Sequence, residues 1–142
     1  MSVPISNPKG LGGYTDLATI TVPVTRNFIA AGTITALQAV FVGTNLRIVS
    51  AATDSTATKV VGIAVKSGVS GDIIPVVVWG PVEAVPIAGD ATAGAPLKRS
   101  VTTSGRVSST ATPAVGEYLG FAIAAASAAN GTVSVFVNPG GT

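Results

Sequence analysis

One phrase occurs twice in this chain, and it leaves few folds open. The first copy is Val61-Gly62-Ile63-Ala64-Val65, a polar and glycine link, then Gly71-Asp72-Ile73-Ile74-Pro75-Val76-Val77-Val78. The second is Leu119-Gly120-Phe121-Ala122-Ile123, a small-residue link, then Gly131-Thr132-Val133-Ser134-Val135-Phe136-Val137. Each is apolar-Gly-apolar-Ala-apolar, a turn, and then a β-branched alternating run. Alternation with a period of two places side chains on opposite faces of a strand, so each phrase predicts an antiparallel hairpin. The run Asp72–Gly80 is the densest β-branched stretch of the chain.

The repeat extends upstream. AVFV at 39–42 corresponds to APLK at 95–98, and LRIVS at 46–50 to GRVSS at 105–109. The small polar loops Ala51–Thr58 and Ser109–Val115 also correspond. The whole is displaced by roughly sixty residues and occurs twice, which fits two similar β-halves in one domain; a solenoid needs about three units or more. The chain therefore divides into an extended N-terminal arm, 1–18, and a β-domain, 19–142, with a pseudo-repeat at about 38–80 and 95–138. The predicted fold class is all-β, a small barrel or sandwich of two similar halves.

Between these landmarks the strand pattern is short and regular. Thr19–Thr25 alternates and reads as a strand, confined to an edge or a bulge by Pro23. Asn27–Gly32 reads as a turn, and Pro81–Ile87 as a separate strand-like piece with prolines at its margins. Ala91–Ala95 has room for a short helix, limited by Gly94 and Pro96. Ala30–Gln38 and Ala122–Ala129 are the alanine-rich helix candidates, and a hairpin link explains the second equally well.

Composition then removes whole classes of chemistry. With no cysteine and no histidine among 142 residues, disulfides, thiolate metal sites and a Ser-His-Asp triad are excluded. The eight Lys+Arg and six Asp+Glu make 10% charged residues, against roughly 25% in an ordinary soluble domain. So few charges thinly cover such a surface, and a sparsely charged chain tends to associate. The basic residues are scattered, with only Lys98 and Arg99 adjacent. A nucleic-acid partner is not expected, because its footprint is a clustered basic stripe. Uncharged spans at Asn27–Leu46 and from Tyr118 onward break into strand-length pieces, short of the roughly 20 continuous apolar residues of a spanning helix. The first residues, MSVPISNPKG, lack the basic and apolar regions of a signal peptide. No membrane partner, no secretion and no cofactor are expected.

The acidic residues Asp16, Asp54, Asp72, Glu83, Asp90 and Glu117 fall mostly in loops or at strand starts, where carboxylates cap turns. No enzyme is expected, since acid/base work needs two carboxylates held close in contrasting environments. Trp79, the single tryptophan, alternates with Val77 and Ile73. It is assigned first to the core and second to a subunit interface. Arg26, Arg47 and Arg99 read as surface charges, with Arg26 and Arg99 as candidates for pairing between subunits. The arm carries Val3, Pro4, Ile5, Pro8, Leu11 and Tyr14, apolar and proline-preset. Such a segment reads either as a frayed terminus or, because it loses less entropy on docking, as a contact to a neighbour.

From about Thr21 to Val137 the chain resembles the bacteriophage capsid decoration, or cement, proteins. The matching stretches are ITVPV, VVGIAV with a following Gly-Asp turn, VVVWGPVEAVPIAGDATAGAPL, GRV and EYLGFAIAAASAANGTVSVFVN. The run G-D-x-x-x-G-x-x-L at Gly89–Leu97 and the closing G-x-A…G-x-V-x-V-x-V are its most diagnostic parts. The arm before Thr19 is extra to the family pattern. The resemblance implies a homotrimer on the outer surface of a virion, made in the host cytoplasm. There it would bridge major capsid protein subunits, contact neighbouring decoration subunits and stabilise the shell. A carbohydrate- or receptor-binding β-sandwich module of a virion fibre is the alternative, and it requires exposed aromatic platforms.

Overall fold

The computed structural model describes residues 22–43, 47–50, 60–128 and 131–140. Among them there is no helix; nine strands alternate with turns. They are β1 (Val24–Ala30), β2 (Ala39–Val42), β3 (Arg47–Ser50), β4 (Val60–Ala64), β5 (Ile73–Pro86), β6 (Pro96–Arg99), β7 (Val107–Ser109), β8 (Tyr118–Ala122) and β9 (Thr132–Val137). The all-β expectation holds, in its barrel form.

The strands follow the order β1-β3-β2-β4-β5-β9-β8-β6-β7, and β1 pairs with β5 as well. That extra pairing closes β1, β3, β2, β4 and the first half of β5 into a ring. The second half of β5 starts a second ring with β9, β8, β6 and β7. It is drawn shut by the parallel bridge Ile87–Val107 and the bond from Ala88 N to Val107 O at 2.8 Å. β5 is thus the last strand of one ring and the first of the next. Both predicted hairpins are present as antiparallel pairs, β4 with β5 and β8 with β9.

The two rings repeat one another bond for bond at their corners. Ile34 and Gly68 exchange backbone hydrogen bonds at 2.8 and 3.0 Å, as Ala91 and Ala126 do at 2.8 Å each. Leu37 N donates to Ala64 O at 2.8 Å, and Gly94 N to Ala122 O at 2.7 Å. Leu37 has φ 69° and Gly94 φ 81°, so the same left-handed turn is held by leucine in one ring and glycine in the other. Leu37 accepts this conformation while packing against the larger core cluster.

Each ring has its own interior. Ala30, Ile34, Val40, Ala64, Ile74 and Val76 fill the first. Val85, Ile87, Leu97, Val107, Leu119, Val133, Val135 and Val137 fill the second. Ala39, Val60, Ile63 and Val77 of the first ring join the second ring's cluster, so part of the first ring's outer wall is the packing surface between the two. Backbone bonds from Ala39 N to Gly105 O and from Val60 N to Gly116 O, each 3.0 Å, tie them together. Burying apolar area on both faces of these strands explains why Val76 and Val77 are successive and both buried, against simple alternation.

Several sequence expectations are corrected. The first described strand is Val24–Ala30, so Asn27 to Ala30 continue a strand where a turn was expected; all of Arg26–Ile29 has backbone partners on β5. Pro81–Pro86 is no separate piece but the second half of a 14-residue strand. It stays continuous because β9 takes over as β5's ladder partner at Gly80, next to Trp79, where β1 begins. Ala91–Ala95 forms an isolated bridge and a turn, and the alanine-rich candidates Ala30–Gln38 and 122–128 form strand ends and corners. Residues 1–18 and 51–59 lie outside the described residues.

The long strand carries one extra residue opposite β9, where Val135 faces Val82 and Val133 faces Val85. Ala84 lies in this bulge at φ 60° and is exposed. Left-handed backbone costs an L-residue roughly 1–2 kcal/mol. Glycine at Ala84 is therefore expected to raise stability by about 0.5–1 kcal/mol, after its larger unfolded-state entropy is counted. A lower urea midpoint for Ala84→Gly would show that the bulge is held differently.

Candidate interaction surface

The outer wall of the sheet carries a row of apolar side chains that crosses four neighbouring strands. Val24 of β1 is the backbone partner of Trp79 on β5. The Trp79 ring meets Phe136 of β9 edge-on, with centroids 5.0 Å apart and planes at 85°. Phe136 stacks on Phe121 of β8 at 5.3 Å and 11°. Pro81 lies opposite Phe136 in the ladder, and Ile123 follows Phe121 by two residues. Trp79 is 42% exposed, Ile123 45%, Val24 38% and Phe121 36%. None of these six residues is charged, and the row runs from the first ring to the second. Edge-on and offset aromatic pairs of this kind are worth about 0.5–1.5 kcal/mol beyond area burial, so the row is a fixed surface feature.

This corrects the first assignment of Trp79. It does share a face with Val77 and Ile73, as alternation requires, but that face is the outside of the first ring. Val77 is 4% exposed because the second ring packs over it, whereas Ile73 is 59% exposed and Trp79 lies past the covered zone. Phe136 was legible in principle: it alternates with Ser134, while Val133, Val135 and Val137 point inward.

Arg99 is corrected too. It is 1% exposed and cannot reach a neighbouring subunit. Its Nη2 lies 3.5 Å from Glu117 Oε1, and Lys98 Nζ lies 3.5 Å from Glu117 Oε2. The same carboxylate accepts a bond from Ala114 N at 3.1 Å, so one side chain caps a turn and faces two cations. Arg26 is exposed and donates to the carbonyl of Thr25 at 2.9 Å. It lies across from Val76, three residues along β5 from Trp79, and is not part of the aromatic row. Val3, Pro4, Ile5, Pro8, Leu11 and Tyr14 lie outside the described residues.

Asp72 and Asp90 cap turns, and Glu83 is exposed on β5. Asp72 Oδ2 accepts from Val69 N at 2.8 Å, and Asp90 Oδ1 from Ala128 N at 2.7 Å. Both hold the corner that precedes the last strand of a ring, one from within the corner and one from across it. No group of three or more metal-ligating acidic side chains occurs among the described residues, nor any helix long and apolar enough to cross a membrane.

A second apolar feature is a groove of about 510 Å³ at the junction of the rings, lined by Phe28, Val61, Val78, Val115, Tyr118 and Pro139 among others. It adjoins Val60 and Gly140, beyond which the chain passes out of the described residues. Val115 at its rim is fully exposed.

No family model matches the chain, and no curated protein sequence matches it.

Proposed function

We propose that this chain is a virion structural protein, a decoration protein that binds the outer surface of a phage capsid and stabilises it by bridging major capsid protein subunits. The observation that carries the reading is the uncharged aromatic row on the outside of a β-body in which Asp72, Asp90 and Glu117 cap turns or face cations. A contiguous exposed apolar patch on a small protein marks an interaction site. Together with the resemblance of residues 21–137 to the decoration family, it favours a protein that works by contact.

A protein of this kind performs no chemistry. It contributes free energy by binding the mature shell better than the immature or dissociated one, and many modest contacts on a closed lattice act together. The association expected is a homotrimer, with each copy touching the major capsid protein and neighbouring decoration subunits through the N-terminal arm. The test is co-sedimentation with expanded capsids. The full chain is expected to pellet with them. The chain lacking Met1–Ala18 is expected to bind at least tenfold more weakly while keeping its far-ultraviolet spectrum. Equal binding by the two would remove the arm from the account, and no binding by either would remove the function.

The exposure of Trp79 and Phe121 also favours the alternative, a carbohydrate-binding module of a virion fibre, because sugars stack on open aromatic faces. Two features weigh against it. The rings are engaged with one another, and their flanks, Val24, Pro81 and Ile123, have no side-chain groups to bond hydroxyls. A glycan array that lights up for the native chain and goes dark for Trp79→Ala would favour this alternative over the capsid reading.

A further inference from the structure

We propose that the row Val24, Trp79, Pro81, Phe136, Phe121 and Ile123 is the seat for the N-terminal segment Val3–Tyr14 of a second copy of this chain. This deepens the clamping role above and rests on it, by naming the surface that the arm grips.

Three observations carry it. The first is where the described chain begins. Val22 and Pro23 lead directly into Val24, and a side chain at Gly80 would meet the Pro23 backbone at 2.8 Å. The described body therefore starts at the rim of the row, with 21 residues of chain before it.

The second is area. Six partly exposed side chains offer on the order of 400 Å². A stable face-to-face contact between two folded bodies takes about 800 Å² from each. The row is too small for a second β-body and large enough for an extended apolar segment. Val3, Ile5, Leu11 and Tyr14 supply such a segment, and Pro4 and Pro8 preset part of it as extended.

The third is reach. Four strands span about 15 Å across a sheet. Tyr14 is eight residues from Val22 and Ile5 is seventeen, so an extended chain carries them up to roughly 27 and 56 Å away. The residues nearest the row along the chain are Thr15–Thr21, which include the charged Asp16 and three threonines. The apolar, proline-bearing part is farther from Val22 along the chain, with length enough to reach a neighbour. An uncharged seat suits it, since the segment from Val3 to Leu11 has a single charge, Lys9.

The experiment uses full-length chains without capsids, so a failed capsid assay and a failed association assay remain separate results. Sedimentation velocity and Trp79 emission are recorded for the native chain, an arm variant (Ile5→Asp with Leu11→Asp) and a seat variant (Phe121→Lys). Ile123→Lys is a second seat variant that spares the ring stack. Far-ultraviolet spectra check that each is folded.

The native chain is expected to associate, with Trp79 emission shifted to the blue. Each variant is expected to sediment as a monomer with red-shifted emission. Mixing the arm variant with a seat variant is expected to restore a hetero-pair, because one supplies an intact seat and the other an intact arm. Four results would overturn the proposal. One is a native monomer with red emission, the mark of a seat filled only by a foreign partner. Another is a native monomer whose emission reddens in the arm variant, the mark of a segment folded onto its own chain. The others are an arm variant that still associates, as a face-to-face pair would, and a mixture that stays monomeric.

Discussion

Replacing Gly120 by alanine is expected to cost this protein roughly 3–5 kcal/mol, at the upper end for a single substitution. A Cβ at Gly120 would lie 1.9 Å from the carbonyl oxygen of Phe136 and 2.9 Å from its carbon. Both are backbone atoms of the strand paired with it. They cannot rotate aside as a side-chain end would. Relief requires β8 and β9 to part, and Leu119, Ala122, Val135 and Val137, all fully buried, move with them. Gly62 holds the equivalent place in the first ring, with Val77 O at 1.9 Å, and Gly62→Ala is expected to behave likewise. Gly32→Ala is the control, because a Cβ there meets nothing within 4 Å; it is expected to stay within about 0.5 kcal/mol of the native chain. Urea unfolding monitored by Trp79 emission reads all three. Equal midpoints for Gly120→Ala and Gly32→Ala would show that the strand pair opens cheaply.

The second large effect is expected at Glu117. Arg99 is 1% exposed, and the Glu117 carboxylate opposite it is 18% exposed at the side chain. Removing a partner of a buried charge weakens the compensation of its desolvation, at a cost of up to about 3–5 kcal/mol. Glu117→Ala is therefore expected to fall near 3 kcal/mol, with a contribution from the lost bond to Ala114 N. The double variant Arg99→Met with Glu117→Gln is expected to be more stable than Glu117→Ala, since the deeply buried guanidinium is then gone along with the carboxylate that faces it. Lys98→Ala removes the more exposed cation and is expected to cost under about 1 kcal/mol. A thermal melt of the set decides the matter: if Glu117→Ala and Lys98→Ala melt alike, the buried pair contributes little.

These two sites differ in how visible they are along the chain. The glycines were legible as part of the repeated phrase, because Gly-apolar-Ala recurs before each alternating run. That the glycine is needed for a carbonyl crossing under 2 Å from its missing Cβ was not legible, since the partner strand lies 15 or 16 residues away. Arg99 beside Lys98 looked like an ordinary surface pair. Its burial arises because β6 lies between β7 and β8 and the turn carrying Glu117 folds back on it. Nothing local to Lys98-Arg99 encodes that turn's position.

The candidate surface shows the same division. Alternation correctly put Trp79 on one face with Ile73 and Val77. Whether that face was inside or outside depended on which part of the first ring's wall the second ring would cover. Phe121 and Phe136 come from strands separated in sequence from Trp79, and only the β5–β9–β8 order makes them neighbours.

What the chain's sequence determined alone is its strand character, its paired hairpins and its poverty in charge and reactive groups. Those follow from period-two patterning and from composition, which act residue by residue. The tertiary structure alone decided that one long strand serves both rings, that Arg99 is interior and that Trp79 is exterior. Each of these depends on which distant segment comes to lie against a given face, and packing between segments far apart in the chain is the one property that local patterning does not carry.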